Sequence, residues 1–261
     1  MSRDGSGDAR VDGPGLRNRV RTRHLLGSEG GRMTASSAVI IGASGGIGRA
    51  VAEAVEASGD FEIVHRLSRS GSGLDLEDEA SIAAAAALVA SGPAPSLIFI
   101  ATGVLHHGQT PERSYRSLSP EHMMRDFRIN AVGPALVAKH FLPLLPRDRR
   151  AVFAALSARV GSISDNRLGG WHAYRASKAA LNMTLRNLAI EMARTHPQAI
   201  IAGLHPGTVA TGLSAPFQKG VAADKLFDAG YSAARLLAVL DGLIPADSGR
   251  VFAWDGARVP E

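Results

Sequence analysis

Residues 38–55, AVIIGASGGIGRAVAEAV, decide the architecture. Ala38, Val39, Ile40 and Ile41 form a short apolar run of strand type. Ile47, Val51, Ala54 and Val55 then recur at helical spacing. Between them lie Gly42, Ser44, Gly45, Gly46, Ile47 and Gly48. Glycines in a strand-to-helix turn permit a tight bend and close backbone approach, and the helix N-terminus offers free N–H groups and partial positive charge to a pyrophosphate. Gly42, Gly46 and Gly48 fit one spacing of such a loop, and Gly42, Gly45 and Gly48 fit another. The plain alternative is a glycine-rich turn without a ligand, but three glycines in this context favour a dinucleotide loop.

The pattern repeats downstream. Apolar runs at 61–67, 96–101, 151–156, 200–204 and 250–253, with a short extended piece at 74–76, read as strands. Helical patterns fill 77–91, a long stretch opened by Ser119 and Pro120 that runs toward Leu145, 172–195 and 231–240. Strands alternating with helices imply an α/β doubly wound Rossmann-type domain over 36–261. Its sheet is expected to be mostly parallel and seven-stranded, with helices on both faces.

Composition narrows the function classes. The 261 residues are 45% hydrophobic and 20% charged and contain no Cys, which excludes a disulfide framework, a thiolate metal site and a Cys nucleophile. The nine His show no helical HxxxH pair, and His106-His107 reads as a polar loop, so no metal site is expected. Apolar runs fall far short of the roughly 20 residues of a membrane span, and a cytoplasmic globular protein is the default. The net charge of +5 is uneven: residues 1–32 hold seven Arg against four acids, leaving the other 229 residues at +2. Residues 1–35 lack apolar periodicity and read as a disordered basic extension, with Met33 just before the first strand pattern. A secretory signal would need an apolar core that is missing, and a basic run without a folded motif does not make nucleic acid a ligand.

Two further stretches carry chemistry. The second strand ends in Arg66, Leu67, Ser68 and Arg69, with no acid to take a ribose 2′-hydroxyl. Arg69 instead suits a 2′-phosphate, with Ser68 donating and Arg49 helping, so NADP(H) is preferred over NAD(H). Tyr174 and Lys178 stand four apart on a helix and share a face. A phenol of pKa about 10 is a poor acid or base near neutrality, and an adjacent ammonium would move it toward the working range.

These stretches, with Asp75-Leu76, Ala101-Thr102-Gly103, Asn130 in FRINAVGP, YRASKAALN at Tyr174 and HPGTVAT at His205, follow the order of the short-chain dehydrogenases/reductases. From Ala38 to about Asp255 the chain resembles that family. SARVGSISDNRLGGW and DSGRVFAWDG make it look closest to the branch of C-factor-like and sniffer-like carbonyl reductases. The resemblance implies reversible hydride transfer between a nicotinamide and a carbonyl or secondary alcohol. It makes Tyr174 the general acid/base, Lys178 the holder of the nicotinamide ribose, and Asn130 the anchor of a water in a proton relay. It places Asp75 and Leu76 at the adenine, Ala101, Thr102 and Gly103 along the adenosine ribose, and Pro206, Gly207, Val209 and Thr211 at the nicotinamide. Trp171, His172 and Phe217 would border the carbonyl pocket. A homodimer or homotetramer built through the helices at Ser119 and His172 is implied as well.

One position departs from the family. Where a catalytic hydroxyl is usual, this chain has Ala158, leaving Ser157 or Ser162 to contact the substrate oxygen. Two other readings stand beside the enzyme. One is a non-catalytic nucleotide-binding signalling protein, which an intact Tyr174, Lys178 and Asn130 argue against. The other is a sugar-nucleotide epimerase, which would need a larger C-terminal domain than the 50 residues after Thr211.

Overall fold

A computed structural model describes residues 35–106, 110–219, 222 and 225–261. The expected basic extension falls almost wholly outside them. The central sheet has strand order β2-β1-β3-β4-β5-β8, built from β1 (Ser37–Ile41), β2 (Ile63–Leu67), β3 (Pro95–Ile100), β4 (Ala151–Leu156), β5 (Ala199–His205) and β8 (Arg250–Ala253). Every pairing in it is parallel. A parallel sheet is covered on both faces, and the strands alternate accordingly. Val39 and Ile41 of β1 join one core with Ile82, Phe141 and Leu181, from the helices α3 (Glu79–Ala90), α5 (Gly133–Phe141) and α6 (His172–Met192). Ala38 and Ile40 face the other core, with Val51 of α1 (Gly46–Ser58) and Leu236 of α7 (Ala229–Gly242).

Among the described residues the central sheet has six strands and not the expected seven. Residues 74–76 are a loop, because only six residues separate them from β2 and four of these form the short helix α2 (Arg69–Ser72). A parallel crossover needs about a dozen. The Asp75 N–H donates instead to Ser81 Oγ (2.9 Å), and Leu74 and Leu76 sink into the core as loop residues. A separate two-stranded sheet pairs β6 (Thr208–Val209) with β7 (Leu226–Phe227).

The long helix expected from Ser119 is continuous in path but changes pitch. Ser119 caps α4 (Pro120–Phe127) by accepting the His122 N–H, a π-turn spans Arg128–Val132, and α5 follows. Among the described residues no helix is long and apolar enough to cross a membrane.

Candidate active site

At the C-terminal end of β1 the chain turns on Gly42, whose φ of +84° favours glycine. The Gly42 and Ala43 N–H groups both donate to Leu67 O, which ties the turn to β2. A Cβ on Gly48 would lie 2.2 Å from Gly42 O, and one on Gly46 would lie 2.7 Å from Thr211 Cγ2. On Gly45 it would meet Gly42 O at an ordinary 3.4 Å. Backbone contacts and conformation therefore demand glycine at 42 and 48, the two positions that both spacings share, whereas the close contact at 46 is with the Thr211 side chain. Gly45 is the N-cap of α1 and supplies no side-chain bond, and the first turn carries no acid. Free N–H groups and the helix dipole thus face the cleft, a cradle that fits a pyrophosphate.

The cleft lies where strand order reverses between β1 and β3, the usual ligand position in open α/β sheets. One part, about 580 Å³, is lined by Gly42, Ser44, Ser68, Arg69, Asp75 and Leu76 among others. The second, about 290 Å³, is lined by Gly46, Ile47, Ser157, Tyr174, Lys178, Pro206 and Thr211 among others. Gly45, Ala101, Thr102 and Gly103 border both, so the two parts run end to end. Thr102 Oγ1 is buried there without a hydrogen-bond partner among the described residues, and a polar ligand would satisfy it.

Of the three arginines weighed for a phosphate, only Arg69 lines the cleft. Arg66 reaches back to Glu56 at 2.8 Å, and the exposed Arg49 lies 4.0 Å from Glu53. Ser68 Oγ accepts the Gly71 N–H as the cap of α2. Arg125 of α4 also borders this part, a residue that the sequence pattern gave no reason to single out.

In the other part, α6 carries Tyr174 and Lys178 to the floor of the cleft, with Lys178 Nζ 5.8 Å from the centroid of the Tyr174 ring. Lys178 Nζ donates to Leu156 O at 2.8 Å, so the β4 terminus fixes the ammonium. Burial pushes the Lys178 ammonium down to about 8, opposed by the Asp126 carboxylate. It pushes the Tyr174 phenol above its ordinary value, and Asp126 adds to that rise. In the cofactor-free site the direction of the phenol's shift is thus set by burial and by Asp126.

Asn130 is fully buried on the π-turn, a feature frequent at functional sites. Its Oδ1 accepts the Val104 N–H at 2.8 Å, and its Nδ2 donates to Val104 O and Ser177 Oγ. Ser177 and Val104 are partners that sequence reading missed. Only the YRASK string could have flagged Ser177.

The two serines separate. Ser157 lines the cleft beside Tyr174, and its hydroxyl donates to Asn182 Oδ1 at 2.5 Å. Ser162 lies on another cavity along the outer side of α6 with His172, and its Oγ accepts the Asp165 N–H. Ala158 packs against Tyr174 and Leu105, with Trp171 and Phe217 alongside. Trp171 and Phe217 stand 5.2 Å apart, and His106 lies 5.8 Å from Phe217. An aromatic wall with His106 therefore borders the Tyr174 phenol, whereas His172 is elsewhere. Gly207 and Val209 do not border the cleft parts described. Gly207 has φ +77°, and a Cβ there would lie 2.7 Å from Phe227, so packing accounts for it.

Residues 36–222 match the family described as short chain dehydrogenase. The chain is 39% identical to C-signal of Myxococcus xanthus over 139 residues, 53% of this chain and 78% of that protein. The NADPH-bound carbonyl reductase from chicken fatty liver superposes with a TM-score of 0.73 at 25% identity, covering 88% of this chain and 96% of that one. The carbonyl reductase Sniffer of D. melanogaster shares the fold with a TM-score of 0.69 at 19% identity, covering 88% and 100%.

Proposed function

We propose, for a chain that belongs to the short-chain dehydrogenase family of NAD(P)-dependent oxidoreductases, that it reduces a carbonyl or oxidises a secondary alcohol with NADP(H). The observation that carries this reading is the continuous cleft with the glycine cradle at one end and Tyr174 with Lys178 at the other. When bound, the nicotinamide supplies or accepts the hydride. The chain's part is to orient, exclude water and move one proton. In the reductive direction the carbonyl oxygen takes the proton of Tyr174 Oη as the carbonyl carbon takes the hydride, and the phenolate regains a proton from solvent. Lys178, fixed on Leu156 O, steadies the charge that develops on the phenol. Asn130 is held rigid by Val104 and Ser177 and anchors the return path of the proton.

Arg69 meets the 2′-phosphate that distinguishes NADP(H), a reading supported by its place on the cleft and by the lack of an ion-pair partner for it among the described residues. The chicken carbonyl reductase binds NADPH. Ser157 is the cleft hydroxyl, but its O–H donates to Asn182 Oδ1, so the substrate oxygen rests mainly on Tyr174. The wall of Trp171 and Phe217 suits an apolar carbonyl compound. Exposed Met124, Met183 and Ile190 on α4 and α6 support the homodimer or homotetramer implied by the resemblance.

The test is NADPH oxidation against a panel of aldehydes, ketones and quinones, with Tyr174→Phe as control. We expect turnover in the wild type and a loss of about 100-fold or more in the variant, with cofactor binding retained. Identical rates for the two would sink the reading. A second reading rests on Ala158 and on the likeness to C-signal: a nucleotide-binding protein without turnover. It predicts NADPH binding with no turnover of any compound in the panel.

A further inference from the structure

The inference rests on the reductase reading and concerns the turn by which the chain enters α6. Gly169, Gly170 and Trp171 all have positive φ, of +64°, +65° and +51°. Trp171 is the one non-glycine in that region among the described residues, and its ψ of 43° completes a left-handed conformation. Such a backbone disfavours a bulky side chain, and it persists where the surroundings over-determine it. Trp171 is also the N-cap of α6, and it offers no side-chain bond to the free N–H groups of the first turn. A short polar residue is the ordinary N-cap, and the sequence places an indole there instead.

Glu112 supplies what this N-cap lacks. Its carbonyl oxygen accepts the Trp171 N–H at 2.5 Å, and its Oε2 accepts the Ala173 N–H, 61 residues on, at 3.4 Å. Ala173 is the second residue of the helix, a position whose N–H a capping side chain takes. A carboxylate there also meets the positive end of the helix dipole. Glu112 is itself 3% exposed, and His122 Nδ1 of α4 lies 3.3 Å from its Oε1. The indole that the turn projects stands 5.2 Å from the Phe217 ring and 6.3 Å from the Tyr174 ring, centroid to centroid. It packs with Leu105 and Ala158 as well.

We propose that Glu112 is a positioning residue of the reductase site: by capping α6 from outside the helix it holds Trp171 left-handed and so fixes the indole of the wall beside Tyr174. The main-chain bond secures the residue that carries the indole, and the side-chain bond secures the turn that leads to Tyr174. Glu112 lines neither part of the cleft, so it acts on the carbonyl compound through Trp171. Its loss loosens the hold on a carbonyl compound with a large apolar face, such as an aromatic one, and leaves a small aliphatic aldehyde and NADPH almost untouched.

Glu112→Leu keeps the main-chain bond and much of the volume but removes the side-chain acceptor, and Glu112→Gln keeps an acceptor without the charge. In Glu112→Leu the KM for an aromatic carbonyl compound of the panel rises about 10-fold, the scale of a lost helix cap. The KM values for NADPH and for a small aliphatic aldehyde stay within about twofold. Glu112→Gln stays close to the wild type throughout, and Glu112→Ala repeats the rise should the leucine variant not fold. Adding Glu112→Leu to Trp171→Gly raises KM no further, because glycine takes the left-handed turn unaided and the indole is gone. A second readout needs no activity: the sequence has two Trp, so Trp254→Phe leaves Trp171 as the one tryptophan. In that background, without cofactor, Glu112→Leu shifts the emission to the red and raises its quenching by acrylamide, and Glu112→Gln does neither. Unmoved Trp171 emission, additive effects of the Glu112 and Trp171 substitutions, or an equal loss toward all three compounds overturns the proposal. Failure of the two readings is distinguishable. If the wild type turns over no carbonyl but the Trp171 emission responds to Glu112→Leu, the reductase reading falls and the clamp on Trp171 stands. If Tyr174→Phe abolishes a measurable activity and Glu112→Leu moves neither KM nor emission, the clamp alone falls.

Discussion

Gly45→Ala and Gly48→Ala are the same chemical change three residues apart in one loop, and the structure separates them. At Gly48 the new methyl would sit 2.2 Å from Gly42 O, 2.8 Å from Gly42 C and 3.0 Å from Ala101 Cβ. Two of those three neighbours are backbone atoms and the third is a Cβ fixed directly to it, so none can swing aside as a side-chain tip would. Gly42 is further pinned by its φ of +84° and its N–H bond to Leu67 O. Overpacking of this kind costs about 3 kcal/mol, and the helix preference of Ala over Gly returns about 1. The net loss of ~2 kcal/mol corresponds to a fall of about 4–8 °C in Tm for a protein of this size. At Gly45 the φ of −77° suits any residue and the methyl makes one contact at 3.4 Å. Loss of a glycine N-cap and gain from a stiffer unfolded chain nearly cancel, leaving Tm within about 2 °C of wild type. Thermal unfolding by circular dichroism without ligand reads both variants, and fluorescence titration with NADPH shows whether Gly48→Ala also loses the cradle. Equal Tm values for the two variants would refute the assignment of a tight position to 48 and an open one to 45.

Three other outcomes are expected. Ala158→Ser, which puts a hydroxyl beside Tyr174 that is not the one donated to Asn182, should raise reductive kcat by about 10-fold to 100-fold, while Ser157→Ala should lower it by less than about 10-fold; steady-state rates with one carbonyl decide, and the reverse order would make Ser157 the true oxygen contact. Arg69→Ala should weaken NADPH binding by about 10-fold or more and leave NADH binding nearly unchanged, and equal losses for the two cofactors in parallel fluorescence titrations would remove Arg69 from the phosphate. His205 is pushed by burial from its ordinary value down to about 4. Between pH 6.5 and 4 the unfolded chain therefore binds the proton more readily, so this group's contribution is full above 6.5 and is lost as pH falls through that window; His205→Asn should flatten the fall of Tm over the same range, and an unchanged slope in a series of melts would contradict it.

The legible parts of the sequence were those in which a local pattern fixes a local geometry. The run from Ala38 to Val55 gave strand, turn and helix because each obeys a period within a few residues, and Tyr174 and Lys178 share a face because one helix carries both. What escaped depends on neighbours distant in the chain. The spacing of Leu74 and Leu76 looks like a strand, yet the number of residues needed to cross over, not their type, forbids one. Arg66 ends its strand at the position a phosphate ligand would occupy, but Glu56, ten residues earlier on α1, claims it. Ser162 lies nearer to Tyr174 in sequence than Ser157 does, while β4 delivers Ser157 to the cleft and the loop after it carries Ser162 to the outer side of α6.

Tyr174 and Lys178 show why the pair's acidity was the hardest property to read. Spacing supplies a cation next to a phenol and so predicts an easier phenolate. Whether it becomes easier depends on how dry the floor of the cleft is and on which anions stand behind α6, and both are set by α4 and by the loop at Glu112, some sixty residues upstream. Burial acts in opposite senses on the two groups, pushing the Lys178 ammonium down to about 8 and the Tyr174 phenol up, and the Asp126 carboxylate raises both.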